Sequence, residues 1–257
     1  MAITRDRAPL LHVAIDEGAG PPVVLLHGIA SSSVTFQNVI PLIAPQHRCI
    51  AIDLLGFGES PIPADAEYTI AEHVAAIERT LKTLHIRGEF TLVGHSMGAL
   101  IGARLAARFP KQVAKLVLVS PPIYVQPGEL SGLLDRGVMD FYLHAYKYVR
   151  ENEAFTLRSA AFVERLLPIP KAMDINERTW TPFVKSLEHS IESQTTVSDL
   201  ASVTAPIEIV YGTMDQFRSD GVLRIVERMS GVTTHRVLGS DHLIGKRLAR
   251  VVATAIG

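Results

Sequence analysis

The chain has 257 residues, 47% of them hydrophobic, and a net charge of -1 with no long basic or acidic run. That is enough for one sizeable core, and it excludes the charge signature of a nucleic-acid binder or an anionic-membrane binder. The lone cysteine, Cys49, leaves no intrachain disulfide among these residues and no cysteine-based zinc site.

Met1 to Arg7 lacks the apolar stretch of a signal peptide, and no apolar run approaches the roughly 18 residues of a membrane span. The expectation is therefore a cytoplasmic protein. Leu11 to Ile15 predicts a first strand, closed by the turn from Glu17 to Pro22. Val23-Val24-Leu25-Leu26 reads as a fully buried strand, with His27-Gly28-Ile29-Ala30 as the loop leaving it. Ser33 is a plausible N-cap for a helix running to about Ile43. Arg48 to Ile52 is the next strand, which makes Cys49 a core residue, and Asp53 to Ser60 is a glycine-bearing loop of architectural character.

From Thr69 to about Leu84, apolar residues at Ile70, Val74, Ile77 and Leu81 predict an amphipathic helix. Thr91-Leu92-Val93 then leads into Gly94-His95-Ser96-Met97-Gly98 and a small-residue helix to Phe109. A strand, G-x-S-x-G and a helix make the layout of a nucleophile elbow, a turn too tight for side chains beside the serine. Ala114 to Val119 is a strand stopped by Pro121-Pro122.

The strand and helix alternation lapses from Ile123 to about Ser198. This aromatic-rich stretch reads as several helices, broken near Gly128, Pro168, Pro170 and Pro182. Alternation resumes with the strand Ile207 to Tyr211, a helix from Asp220 to Met229, a strand from Thr234 to Val237 and a helix from Leu243 to Ala255. The fold class is α/β: a mostly parallel sheet flanked by helices, with residues 1–122 and 201–257 as the core and 123–200 as an inserted helical lid.

Ligands in such sheets bind beyond the carboxyl ends of the strands. Ser96, Asp215 and His242 follow three different strands, in the order an elbow architecture expects. A serine hydroxyl needs a base during attack; imidazole can take its proton, and a carboxylate on the other ring nitrogen fixes the tautomer. The backbone N–H of Met97 is one candidate donor to the substrate oxyanion, and Ile29, with Ala30 as the alternative, the second. Asp241 and Asp220 compete with Asp215 for the acid role, but Asp241 adjoins His242 and cannot easily reach the far ring nitrogen.

His27-Gly28, Asp53 to Ser60, the elbow, Asp215 and Gly239-Ser240-Asp241-His242 together resemble the α/β-hydrolase fold superfamily, in its capped esterase, lipase and carbon–carbon hydrolase group. The resemblance spans about residues 10 to 255. It implies Ser96 as nucleophile, Asp215 as acid and His242 as base. Members of the superfamily that act on epoxides or alkyl halides use an aspartate nucleophile, which Ser96 speaks against. Carbon–carbon hydrolases usually carry an aromatic after the histidine and an arginine in the lid. Here Leu243 follows His242, although Arg158 and Arg165 could supply the arginine.

The expected activity is hydrolysis of a carboxylic ester or related acyl substrate with a hydrophobic part. Carbon–carbon bond hydrolysis, acyl transfer or perhydrolysis, and a ligand receptor on the same scaffold are the alternatives. No cofactor is called for, and no histidine pair has metal-ligand spacing. His27 reads as a structural loop histidine and His95 as a support for the elbow. The oligomeric state stays open between monomer and homodimer.

Overall fold

Continuous runs of Val, Leu and Ile, without polar alternation, suit strands buried on both faces. A computed structural model describes residues 8–86, 88–124, 143–164 and 173–257. Its sheet contains β1 (Val13–Glu17), β2 (Pro22–Leu26), β3 (Arg48–Ile52), β4 (Phe90–His95), β5 (Val113–Val119), β6 (Ile207–Gly212) and β7 (Val232–Val237). The spatial order is β1-β3-β2-β4-β5-β6-β7; β1 runs antiparallel to β3 and every other neighbour is parallel.

Alternate residues of one strand feed opposite sides of the sheet. Val24, Leu26, Leu92, Leu116 and Leu118 pack with the helices α2 (Ile70–Thr83) and α3 (Met97–Arg108). Val23, Leu25, Val93, Val117 and Val119 pack with Leu248 and Val252 of α9 (Lys246–Ile256). Each fully buried aliphatic side chain contributes roughly 2 kcal/mol. α2 begins where its sequence says it should, because Thr69 and Glu72 form a reciprocal capping box.

Between β5 and β6 the described residues form α4 (143–151), α5 (Glu153–Glu164), α6 (Trp180–Ser186), a π-helical turn (Leu187–Glu192) and α7 (Thr196–Ala201). The expected breaks at Gly128, Pro168 and Pro170 lie outside the described residues. The break expected near Pro182 falls just before it: residues 173–179 are not helical, and Pro182 sits in the first turn of α6. A missing N–H costs nothing at that place, since first-turn amides have no partner inside the helix.

Other boundaries move as well. The first strand begins at Val13 rather than Leu11, and the last helix at Lys246 rather than Leu243. β7 gains Val232 and Thr233, and α8 (Asp220–Val226) stops short of Met229.

The helix expected from Ser33 is a 3-10 turn (Ser33–Phe36) followed by the short α1 (Ile40–Ile43), and the cap is Ser32. Ser33 is drawn elsewhere: its N–H and hydroxyl both donate to Asp53 Oδ1, at 2.9 and 2.7 Å. Asp53 Oδ2 accepts from Glu59 N–H and from His12 Nδ1, both at 3.0 Å. One buried carboxylate thus organises the loop from Asp53 to Ser60. Burial raises the Asp53 pKa, but the nearby His27 and these hydrogen bonds outweigh it and hold the carboxyl below its ordinary range.

Cys49 is fully buried, and burial, aided by the charge of Glu17, pushes its thiol up to about 11. Among the described residues no helix is long and apolar enough to cross a membrane.

Candidate active site

Ser96 joins the end of β4 to the start of α3. Its backbone has φ 53° and ψ -123°, a conformation that costs a non-glycine residue roughly 1–3 kcal/mol. The strain is held by Ser96 N–H donating to Val119 O at 3.0 Å and Ala99 N–H donating to Ser96 O at 2.9 Å. Gly98 lies against the carbonyls of Leu26 and His27, where any side chain would collide. Gly28 also approaches Ser96 closely, since a Cβ there would stand 2.9 Å from the serine Cβ. The loop leaving β2 therefore abuts the elbow directly.

His242 reaches the same spot from the loop after β7. Its Nε2 is 3.0 Å from Ser96 Oγ, and its Nδ1 is 2.9 Å from Asp215 Oδ1. With a carboxylate beside Nδ1, the proton sits there, and Nε2 is left to accept from the serine hydroxyl. Burial raises the Asp215 pKa, but the hydrogen bond and charge of His242, with Phe217 N–H at 3.0 Å, outweigh it and hold the carboxyl low. Asp241 is exposed and accepts from Leu243 N–H, and Asp220 pairs with Arg218. The structure thus brings together Ser96, Asp215 and His242, and neither rival aspartate.

Burial disfavours the charged form of the two supporting histidines. Burial, with His242 adding to it, lowers His95 to about 3, and its Nε2–H donates to the His242 carbonyl at 2.9 Å. His27 accepts from Leu54 N–H at 2.8 Å and donates to Gly28 O at 2.7 Å. Burial lowers its pKa also.

A cavity of about 520 Å³ opens at Ser96. Ile29, Ala30 and Leu243 line it from the core loops; Tyr146, Val149, Phe155, Phe183, Leu187 and Ile191 line it from the helices between β5 and β6. Met97 opens α3 beside Ser96, and the first N–H groups of a helix lack partners within it. Arg158 is exposed and does not line the cavity, and Arg165 lies outside the described residues.

Three lining residues escaped the sequence reading. The Phe217 ring stands edge-on to His242, with centroids 4.7 Å apart. Ser31 and Thr35 share a hydrogen bond of 2.9 Å on the cavity wall. The only sequence signal for any of them was proximity: Phe217 is two residues from Asp215, and Ser31 follows the His27 loop.

A family model described as the alpha/beta hydrolase fold matches residues 21–244. The chain belongs to the α/β-hydrolase fold family. This α/β-hydrolase is 40% identical over 109 residues to a probable lysophospholipase, BODYGUARD 3 of Arabidopsis thaliana, a match covering 41% of this chain and 22% of that protein. It is 33% identical over 180 residues to a haloalkane dehalogenase of Mesorhizobium japonicum, covering 67% of this chain and 57% of that one. The matches thus span only 22% to 57% of the length of these relatives. An epoxide hydrolase from Bacillus megaterium has the same fold, with a TM-score of 0.76 at 21% identity over 96% of this chain and 95% of that one.

Proposed function

We propose that this α/β-hydrolase is a serine hydrolase that cleaves a carboxylic ester or related acyl compound with a hydrophobic part, through an acyl-Ser96 intermediate. The observation that carries the reading is the unbroken chain from Ser96 Oγ to His242 Nε2 at 3.0 Å and from His242 Nδ1 to Asp215 at 2.9 Å, at the wall of an apolar cavity.

In this reading His242 takes the Ser96 proton as the hydroxyl oxygen attacks the acyl carbon. The backbone N–H groups of Ile29 and Met97 receive the oxyanion, each lowering the barrier by roughly 3–4 kcal/mol. Collapse expels the alcohol, protonated by His242. Water, deprotonated by the same imidazole, then opens the acyl-enzyme and releases the acid. Asp215 keeps the ring oriented and stabilises the imidazolium. Every atom consumed comes from substrate and water, so the route uses no cofactor. Residues 123–200 act as the lid that shields this chemistry and selects the acyl chain, over a core of 1–122 and 201–257.

The nucleophile separates this chain from the halide and epoxide chemistry of proteins it is similar to. Serine attack on an alkyl halide or epoxide would leave an ether that water does not open. Attack on an acyl carbon leaves an ester that it does.

The test is a panel of p-nitrophenyl esters, lactones and a ring-cleavage product, with fluorophosphonate labelling alongside. Ester turnover is expected, and Ser96→Ala should abolish labelling and cut the rate by about 10⁴-fold or more. Labelling that persists in the variant, or turnover confined to the ring-cleavage product, would overturn the assignment.

A further inference from the structure

We infer that Arg218 is a positioning residue for the acid of the proposed triad, a side-chain clamp that sets where the Asp215 carboxylate meets His242. The inference rests on the functional reading above, because it gives Arg218 a role only if Asp215 has one.

Arg218 lies three residues beyond Asp215, and its guanidinium closes the loop back on itself. Nη1 donates to the carbonyls of Gly212 and Thr213, both at 3.1 Å. Nε and Nη2 donate to the two carboxylate oxygens of Asp220, at 2.5 and 3.3 Å. The group also stacks over the Tyr211 ring, 5.7 Å from its centroid.

The register of β6 with β7 ends at Gly212 opposite Val237. The carbonyls that Arg218 holds are therefore those of the chain as it leaves the sheet, two and three residues before Asp215. Its own N–H reaches Asp215 O at 3.4 Å. On the other side of the loop, the Tyr124 hydroxyl donates to Phe217 O at 3.3 Å. The acid is thus carried on a short span anchored at both ends.

Only a planar fork of donors can serve two carbonyls on one edge and a carboxylate on the other; a lysine ammonium cannot. A displacement of the order of 1 Å in a triad member can cost roughly 100-fold in rate, so such a clamp acts on turnover rather than binding.

The experiment is a kinetic double-mutant cycle with p-nitrophenyl butyrate. Arg218→Ala should lower kcat about tenfold, with KM changed less than about twofold. In an Asp215→Asn background the same change should cost less than about twofold, because there is no carboxylate left to position. Arg218→Lys should restore only a minor part of the lost rate, and it serves as the informative variant if Arg218→Ala fails to fold. Equal losses in both backgrounds, an effect on KM alone, or full rescue by lysine would overturn the clamp. If Asp215→Asn itself keeps full activity, the functional reading falls first. If Asp215→Asn is crippled and Arg218→Ala is not, only this inference falls.

Discussion

The central sheet and the helices α4 and α5 are held in opposite ways. In β2, β4 and β5, residues such as Leu25, Leu92, Val93 and Val117 are wholly buried, and each strand's register is fixed by parallel neighbours on both sides. In α4 and α5, Tyr148, Phe155 and Phe162 are 53%, 57% and 64% exposed. The later residues between β5 and β6 are different again: Phe183, Leu187 and Ile191 join the buried core, and polar contacts add to them. Asp174 N–H donates to Ala30 O, Arg178 to Gly58 O and Lys185 to Ala66 O. The groups proposed for bond-breaking stand on loops leaving the buried sheet, while part of the cavity wall comes from the more exposed helices. Turnover and substrate choice are therefore separable by mutation.

Breaking the rigid side gives the largest expected effect. Leu92→Ala removes a fully buried side chain between β2 and β5, and should cost about 3 kcal/mol in urea unfolding. A loss under about 1 kcal/mol would mean that the core collapses around the cavity and is less fixed than it looks.

The polar brace of the core is next. Asp53→Asn turns an amide NH2 toward donors at Glu59 or Ser33, and should cost about 2 kcal/mol. It also carries a pH signature. The folded Asp53 carboxyl is held below its unfolded value near ~3.9, so its contribution is present above that pH and is lost as pH falls through the folded value. Thermal unfolding of the native protein should therefore weaken below about pH 4, and less steeply in Asp53→Asn. Identical slopes would remove Asp53 from the account.

The smallest effect sharpens the contrast from the other side. Phe155→Ala, at an exposed residue of the cavity wall, should change stability by no more than about 0.5 kcal/mol while raising KM for long-chain esters several-fold. A stability loss matching that of Leu92→Ala would erase the difference between the two regions.

Much of the sheet could be read from residues because its signals are local. The run Val23 to Leu26 has no reading other than a buried segment, and the glycines around Ser96 announce a turn. Ser96, Asp215 and His242 each follow such a strand, so their convergence was legible from order alone. What was missed depends on partners distant in sequence. Ser33 looked like a helix cap until Asp53, twenty residues on, claimed both its donors. Arg218 carried no motif, since its role exists only once β6 ends and the chain folds back over Tyr211. Residues 125–142 and 165–172 lie outside the described residues, and the lid is a reading of the sequence.

Cys49 gives the molecule a practical property. A lone thiol, sealed in the sheet and held protonated at neutral pH, should ignore maleimides while the fold is intact. Phe162→Cys would then create a single reactive handle on α5 with nothing else to remove first. A dye placed there could report the helix's surroundings during turnover against a silent background.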